Sequence, residues 1–152
     1  FARKLAARFK FRYVDVNAII VQHGLDVGYD SERKCKIVDE NKLVKVLVDI
    51  IKKNAREDEG VVIDSHLSHL LPSHLVDLCV VKKIPLKTLK RRLERRQYPA
   101  AKVRENLDAE IFDICYVEAT ERGHSVLIVP DNRLRSHYSA ISDVLEMSLR
   151  CP

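Results

Sequence analysis

The stretch Val61-Val62-Ile63-Asp64-Ser65-His66 decides the fold: Gly60 breaks the preceding pattern, a short apolar run follows, and the run ends on an acid. Such a run is a buried strand with a polar tip. On its N-terminal side, residues 40–54 place Leu43, Val46, Leu47 and Ile50 on one helical face, and residues 11–16 (FRYVDV) alternate in a β-rich strand pattern. Between these lie a short predicted helix over 17–23 and a polar loop over 24–36 that contains Gly28-Tyr29-Asp30. On its C-terminal side, residues 75–81 (LVDLCVV) form a third strand candidate. Leu86, Leu89 and Leu93 mark the inner stripe of a very basic helix after Pro85, and a longer helix is expected from about 100 to 121. Residues 125–129 (SVLIV) read as a last strand stopped by Pro130-Asp131-Asn132, and Ile141, Val144, Leu145 and Leu149 as a closing amphipathic helix. Strands alternating with helices indicate an α/β domain, a mainly parallel sheet covered by helices on both faces.

The 152 residues, 46% hydrophobic and 32% charged, suit a single domain over 1–152. Four glycines and five prolines are too few for collagen-like or low-complexity sequence, and no apolar run approaches the roughly 18 residues of a membrane span. Cys35, Cys79, Cys115 and Cys151 stand 44, 36 and 36 positions apart without a CxxC pair, which reads as reduced thiols in a cytosolic-type compartment. Phe1, Leu5 and Phe9 recur at helical spacing with no capping residue before them, and the only methionine is Met147. The expectation from this opening is that the parent chain continues upstream.

Charge is unevenly spread. Residues 82–104 carry ten Lys or Arg against the single acid Glu94, a local charge of +9 that leaves −4 for the rest of a chain whose total is +5. Phosphate groups, on a nucleotide or along RNA, are the natural partner of such a cluster; a solvated helix face is the plain alternative.

In parallel sheets ligands bind outside the carboxyl ends of the strands, and Asp15, Asp64 and Asp131 all fall at or just beyond such ends. Three acids beside a basic helix suggest a metal–nucleotide site, because Mg²⁺ takes few carboxylates together with phosphate oxygens and water. Asp15 is equally suited to capping the helix that follows it. Residues 61–66 have the form of a Walker B strand, in which Asp64 would orient water on the nucleotide's Mg²⁺ and His66 would position the attacking group or shuttle a proton. A zinc cluster of His66, His69 and His74 is the competing reading, weakened by the lack of an HExxH-type acid and by the packing residues Leu67, Leu70 and Leu71 among them.

Residues 61–72 (VVIDSHLSHLLP), the loop Gly28-Tyr29-Asp30 with Cys35 and Ile37-Val38-Asp39-Glu40, and Arg92-Leu93-Glu94-Arg95-Arg96-Gln97-Tyr98 with Lys102, Asn106, Glu110 and Ile111-Phe112 stand in a distinctive order. In that order and spacing the chain resembles the adenylate kinase isoenzyme 6 family, the atypical adenylate kinases of eukaryotic nuclei and archaea that are linked to small ribosomal subunit maturation. The resemblance spans nearly the whole chain. It implies a P-loop nucleoside monophosphate kinase-like fold, three layers α/β/α around a mainly parallel five-stranded sheet whose first strand lies upstream of Phe1. It further implies a phosphate-binding loop of the form GxxxxGK[ST] immediately before Phe1, a segment this sequence does not contain.

Residue by residue, Asp64 and His66 match the family's Asp-x-His motif, the acid serving Mg²⁺ through water and the histidine influencing phosphoryl transfer and hydrolysis. Arg96 matches the arginine that opens a short lid over about 95–105, with Tyr98 beside it. Arg92, one helical turn earlier, is placed to join Arg96 in clamping the transferring phosphate. The resemblance makes about 17–40 the monophosphate-binding region, with Asn17, Gly28, Tyr29, Asp30 and Asp39, and puts Asn132 and Arg133 where a loop approaches the adenine of ATP. Two positions depart from the family pattern: Val21 stands where a basic residue is usual, and Gln97 where a glycine is usual.

The expected activity is therefore Mg²⁺-dependent phosphoryl transfer from ATP to AMP, with ATP hydrolysis beside it. The alternative is a ribosome-assembly factor that binds a small-subunit ribosomal protein or pre-ribosomal RNA and uses nucleotide only as a switch. No membrane role is expected, and the resemblance implies a cytoplasmic protein if archaeal, a nuclear or cytoplasmic one if eukaryotic.

Overall fold

The computed structural model describes residues 1–32, 35–131 and 137–150. Helix α1 (Ala2–Phe9) buries Leu5 and Ala6 and ends where Lys10 turns left-handed at φ 57°. It lies against strands β1 (Arg12–Asp15) and β4 (Val61–Asp64). Between these strands in sequence come α2 (Val16–Gln22), β2 (Asp26–Asp30), β3 (Cys35–Val38) and α3 (Glu40–Arg56). After β4 the chain makes two short 3₁₀ turns (Ser68–Leu70 and Ser73–Leu75), then β5 (Cys79–Lys83), α4 (Leu86–Arg95), α5 (Ala100–Ile111), α6 (Ile114–Glu121), β6 (Val126–Pro130) and α7 (His137–Arg150).

β1 and β4 are parallel, with Arg12 opposite Val61 and Asp15 opposite Asp64; β5 and β6 are also parallel, with Cys79 opposite Val126 and Lys83 opposite Pro130. The parallel α/β character read from the sequence is thus present. Among the described residues the strands form three two-stranded ladders, not one continuous five-stranded sheet, and the third ladder, β2 with β3, is antiparallel. That hairpin replaces the loop expected over 24–36: Gly28, Tyr29 and Asp30 pair with Ile37, Lys36 and Cys35, so backbone groups expected to face water are spent on each other.

Two other elements differ from expectation. The helix expected over 100–121 is broken after Ile111, where Asp113 sits left-handed at φ 54° and its carboxylate is tied to the Lys83 ammonium. The third strand starts only at Cys79, because the backbone N–H groups of Leu75 and Val76 turn back onto Pro72 and Ser73 carbonyls.

The core that holds β1 and β4 in place comes from Val14, Val16, Ile20, Leu25, Leu43, Leu47 and Leu71. Leu43 and Leu47 lie one helical turn apart on α3 and are each 1% exposed, which fixes the rotation of that helix against the strands. Asn54, fully buried near the end of α3, donates to the Ile50 carbonyl at 2.7 Å and accepts from the Arg12 guanidinium at 3.2 Å, tying α3 to the start of β1.

Gly60 positions β4. Its carbonyl accepts the Arg12 N–H at 2.8 Å, and a Cβ built on it would meet the Phe11 ring at 2.4 Å. Gly60→Ala is therefore expected to destabilise the protein by about 1–3 kcal/mol through forced displacement of that ring. Chemical denaturation checks this, and an unchanged midpoint would show that Phe11 moves at no cost.

Candidate active site

The tips of β1 and β4 bring two carboxylates side by side. The β1 tip is committed to local structure: the Asp15 carboxylate accepts the Asn17 N–H at 3.0 Å, capping α2, and lies 3.7 Å from the Arg3 guanidinium. Asp64 is exposed, and one of its oxygens accepts the Tyr13 hydroxyl at 2.8 Å. Arg3 in turn lies over the Tyr13 ring, 5.0 Å from its centroid. Contact with Arg3 pulls the Tyr13 phenol downward, but burial and the bond to Asp64 outweigh it and leave the phenol above its ordinary pKa. Tyr13 thus stays a hydrogen-bond donor that holds Asp64 from behind.

The turn after β4 presents His66. Ser65 shapes it, its hydroxyl accepting the Leu67 N–H at 3.0 Å and its carbonyl accepting the Ser68 hydroxyl at 2.9 Å. His66 keeps an exposed edge, yet neighbouring atoms crowd the ring; desolvation first, then His69 and Lys102, hold it below the ordinary imidazole pKa. It is therefore neutral at pH 7 and able to accept a proton. His69, by contrast, is buried: its Nε2 lies 3.0 Å from the Glu118 carboxylate on α6, and its carbonyl accepts Nε2–H of the buried His124 at 2.9 Å. His69 therefore serves packing, and among the described residues no three His, Cys, Asp or Glu side chains gather as metal ligands, which removes the zinc reading. Asp64 is instead a hard oxygen donor of the kind Mg²⁺ prefers.

The basic segment is sorted by its partners. Lys82 and Arg92 share Asp131; Lys83 is tied to Glu110 and Asp113 at the α5–α6 junction; Lys90 and Arg104 pair with Glu94 and Asp108 on their own helices. Asp131, expected to join Asp15 and Asp64, thus stands at the other parallel ladder with its charge already answered by two cations. Arg96 is exposed at the end of α4, and Lys102 lies over the Tyr98 ring at 4.7 Å. Among the described residues Lys87, Arg91, Arg95 and Arg96 make no ion pair.

In the region around α2 and the β2–β3 hairpin, Asn17 gives its N–H to Asp15, and Asp39 caps α3 through the Lys42 N–H at 3.0 Å. Gly28, Tyr29 and Asp30 lie on β2, and Val21, Val27, Tyr29 and Ile37 leave large apolar surface exposed there. Asn132 and Arg133 lie outside the described residues.

A family profile described as an AAA domain matches residues 1–113. The adenylate kinase isoenzyme 6 homolog of Dictyostelium discoideum is 30% identical over 125 residues, covering 82% of this chain and 69% of that protein. The chain belongs to the adenylate kinase isoenzyme 6 family. Two further relatives are the homolog FAP7 of Saccharomyces cerevisiae, 31% identical over 78% of this chain, and that of Schizosaccharomyces pombe, 29% identical over 95%. The match spans 58% of the Saccharomyces protein and 81% of the Schizosaccharomyces one.

The P-loop kinase-like α/β fold expected for the adenylate kinase isoenzyme 6 family agrees with the two parallel ladders and the helices between their strands. Gln97, at the position where the resemblance implies a glycine, adopts φ 57°, a left-handed conformation that costs a side-chain-bearing residue roughly 1–2 kcal/mol. Gln97→Gly is expected to stabilise the folded chain by about 1 kcal/mol. Differential denaturation tests it, with a loss of stability as the contrary result.

Three features were missed from sequence: Tyr13 behind Asp64, Arg3 over Tyr13, and the link from Arg92 to Asp131. Only Tyr13 carried a signal. It precedes Asp15 by two residues and so shares its strand face, beside the neighbouring tip.

Proposed function

We propose that the protein transfers a phosphoryl group from ATP to AMP, with hydrolysis of ATP as a lesser reaction. The observation that carries this reading is the exposed Asp64 carboxylate at the tip of β4, held by Tyr13, with the neutral His66 two residues on and the exposed Arg96 closing the basic helix. Supporting it, the relatives named above carry adenylate kinase names.

Asp64 would hold Mg²⁺ through water, and the ion would neutralise charge on the ATP phosphates. The protein's own part is positioning and charge stabilisation. Tyr13 fixes the orientation of Asp64, Arg92 and Arg96 meet the charge of the transferring group, and His66 accepts or relays a proton near the acceptor. The exposed ring of Tyr29 suits the flat base of the monophosphate. Ser, Thr and protein acceptors are not required by any of these features.

ADP formation by the full-length protein from ATP with AMP, CMP, UMP or GMP, compared with phosphate release without acceptor, tests the proposal. AMP-dependent ADP formation supports it. Phosphate release unaffected by every monophosphate contradicts it.

One observation favours a second reading, a ribosome-assembly factor bound to a small-subunit ribosomal protein or pre-ribosomal RNA. Lys87, Arg91 and Arg95 stand on α4 without ion pairs among the described residues and present charge to solvent. Against it, Tyr98 is the one aromatic residue within 82–104, whereas single-strand RNA binders interleave aromatics with their cations. Salt-dependent RNA binding that survives Asp64→Ala would support this reading.

A further inference from the structure

Asp131 follows directly on β6, and its two carboxylate oxygens are divided between two elements. Oδ2 accepts from Nη2 of Arg92 on α4 at 3.1 Å, and Oδ1 lies 2.5 Å from Nζ of Lys82 on β5. The carboxylate is shielded, with its side chain 20% exposed, while the Arg92 side chain is 42% exposed. Lys82 above all, with Arg92 adding to it against the effect of burial, holds the Asp131 carboxyl below the ordinary carboxylate range, so the charge is present throughout the neutral pH region.

A guanidinium has five N–H donors in a rigid fork, and the bond to Asp131 uses one nitrogen. The next residue, Leu93, is 4% exposed and sets the rotation of α4 about its own axis. Arg92 is therefore fixed from two sides: by the packing of its helix and by a carboxylate on the neighbouring ladder. The flanking Arg91 has no such anchor among the described residues.

From this geometry we infer that Asp131 is a positioning residue for phosphoryl transfer: it anchors one nitrogen of Arg92 and leaves the remaining donors to meet the transferring phosphate. The inference rests on the reading of Arg92 as a phosphate ligand and goes beyond it by assigning the group that aims it. A preorganised donor needs no reorganisation as charge develops, which is where electrostatic catalysis gains most. Loss of the Asp131 charge leaves Lys82 and Arg92 as neighbouring cations with no common counter-ion. They repel one another and Arg92 swings away, while the site as a whole becomes more attractive to an anionic nucleotide.

Asp131→Asn is accordingly expected to lower kcat about tenfold while KM for ATP stays level or falls. A fold defect would not improve KM. The deciding experiment is a cycle in the full-length protein: Arg92→Ala, Asp131→Asn and the double variant, with kcat and KM for ATP and AMP measured for each. The expected result is a double variant no slower than Arg92→Ala within about twofold, since Asp131 acts through Arg92. Losses that multiply to about a hundredfold would overturn the positioning role and leave Arg92's own role standing. Wild-type turnover in Arg92→Ala would overturn both. Lys82→Met serves as a second variant should Asp131→Asn fail to fold: it leaves the Arg92–Asp131 pair intact, so kcat is expected within about threefold of wild type, and a tenfold loss would count against the inference.

Discussion

Asp64→Asn in the full-length protein is expected to abolish phosphoryl transfer, lowering turnover by more than about a hundredfold. The substitution is nearly isosteric, and the amide oxygen can still accept the Tyr13 hydroxyl that now lies 2.8 Å from the carboxylate. Shape and local hydrogen bonding are thus preserved while the negative charge is lost. Because the residue is exposed at the end of a strand, the folded state has little to lose, and thermal stability should hold. A carboxylate that serves Mg²⁺ has no neutral substitute, so the effect falls on chemistry. His66→Ala should behave differently, changing turnover more than ATP affinity, because the exposed edge of a neutral imidazole acts on a proton and not on the bound phosphate charge. Wild-type turnover in both variants would remove the β4 tip from the mechanism.

Arg96→Ala is expected to lower turnover at least about tenfold, since donors to a transferring phosphoryl group are commonly worth more than about 1.4 kcal/mol. Arg91→Ala is its control. Both side chains are exposed and without ion pairs among the described residues, so the two substitutions remove the same charge from the same surface. They differ in direction. At about 100° per residue, Arg92 and Arg96 fall on adjoining positions of the helix surface, whereas Arg91 lies about 140° from Arg96. Equal losses from Arg91→Ala and Arg96→Ala would mean that charge counts and position does not, which is the behaviour of a diffuse basic surface that binds RNA. Steady-state kinetics at several salt concentrations separates the cases, because diffuse attraction is screened far more than a direct contact.

Much of this site could be read from residues 61–66 alone, because the physics involved is local. A short apolar run becomes a buried strand, parallel strands put their ligands at the carboxyl end, and the first polar residues there are Asp64 and His66. The capping role of Asp15 was equally local, its carboxylate reaching an N–H two residues ahead; that of Asp39, which reaches the Lys42 N–H three residues ahead, was equally local but was not read. What stayed hidden depends on contacts distant in sequence. Asp131 looked like a third acid for a metal, and only its proximity to Lys82 and Arg92, 49 and 39 residues away by the numbering, shows that its charge is already used. The β2–β3 hairpin was hidden for another reason: its residues are largely exposed on both faces, so no alternation of apolar and polar side chains marks it. The break at Asp113 was hidden because the sequence has neither Gly nor Pro there, and a tertiary tie to Lys83 holds the left-handed turn in their place.

The most direct measurement is a single-turnover reaction of the full-length protein with ATP labelled in its γ-phosphate and unlabelled AMP, quenched and resolved into ADP and inorganic phosphate. The account predicts that the wild-type protein moves label into the β-position of ADP and that Asp64→Asn moves none. Label appearing only in inorganic phosphate, or reaching ADP at the wild-type rate in Asp64→Asn, would contradict it.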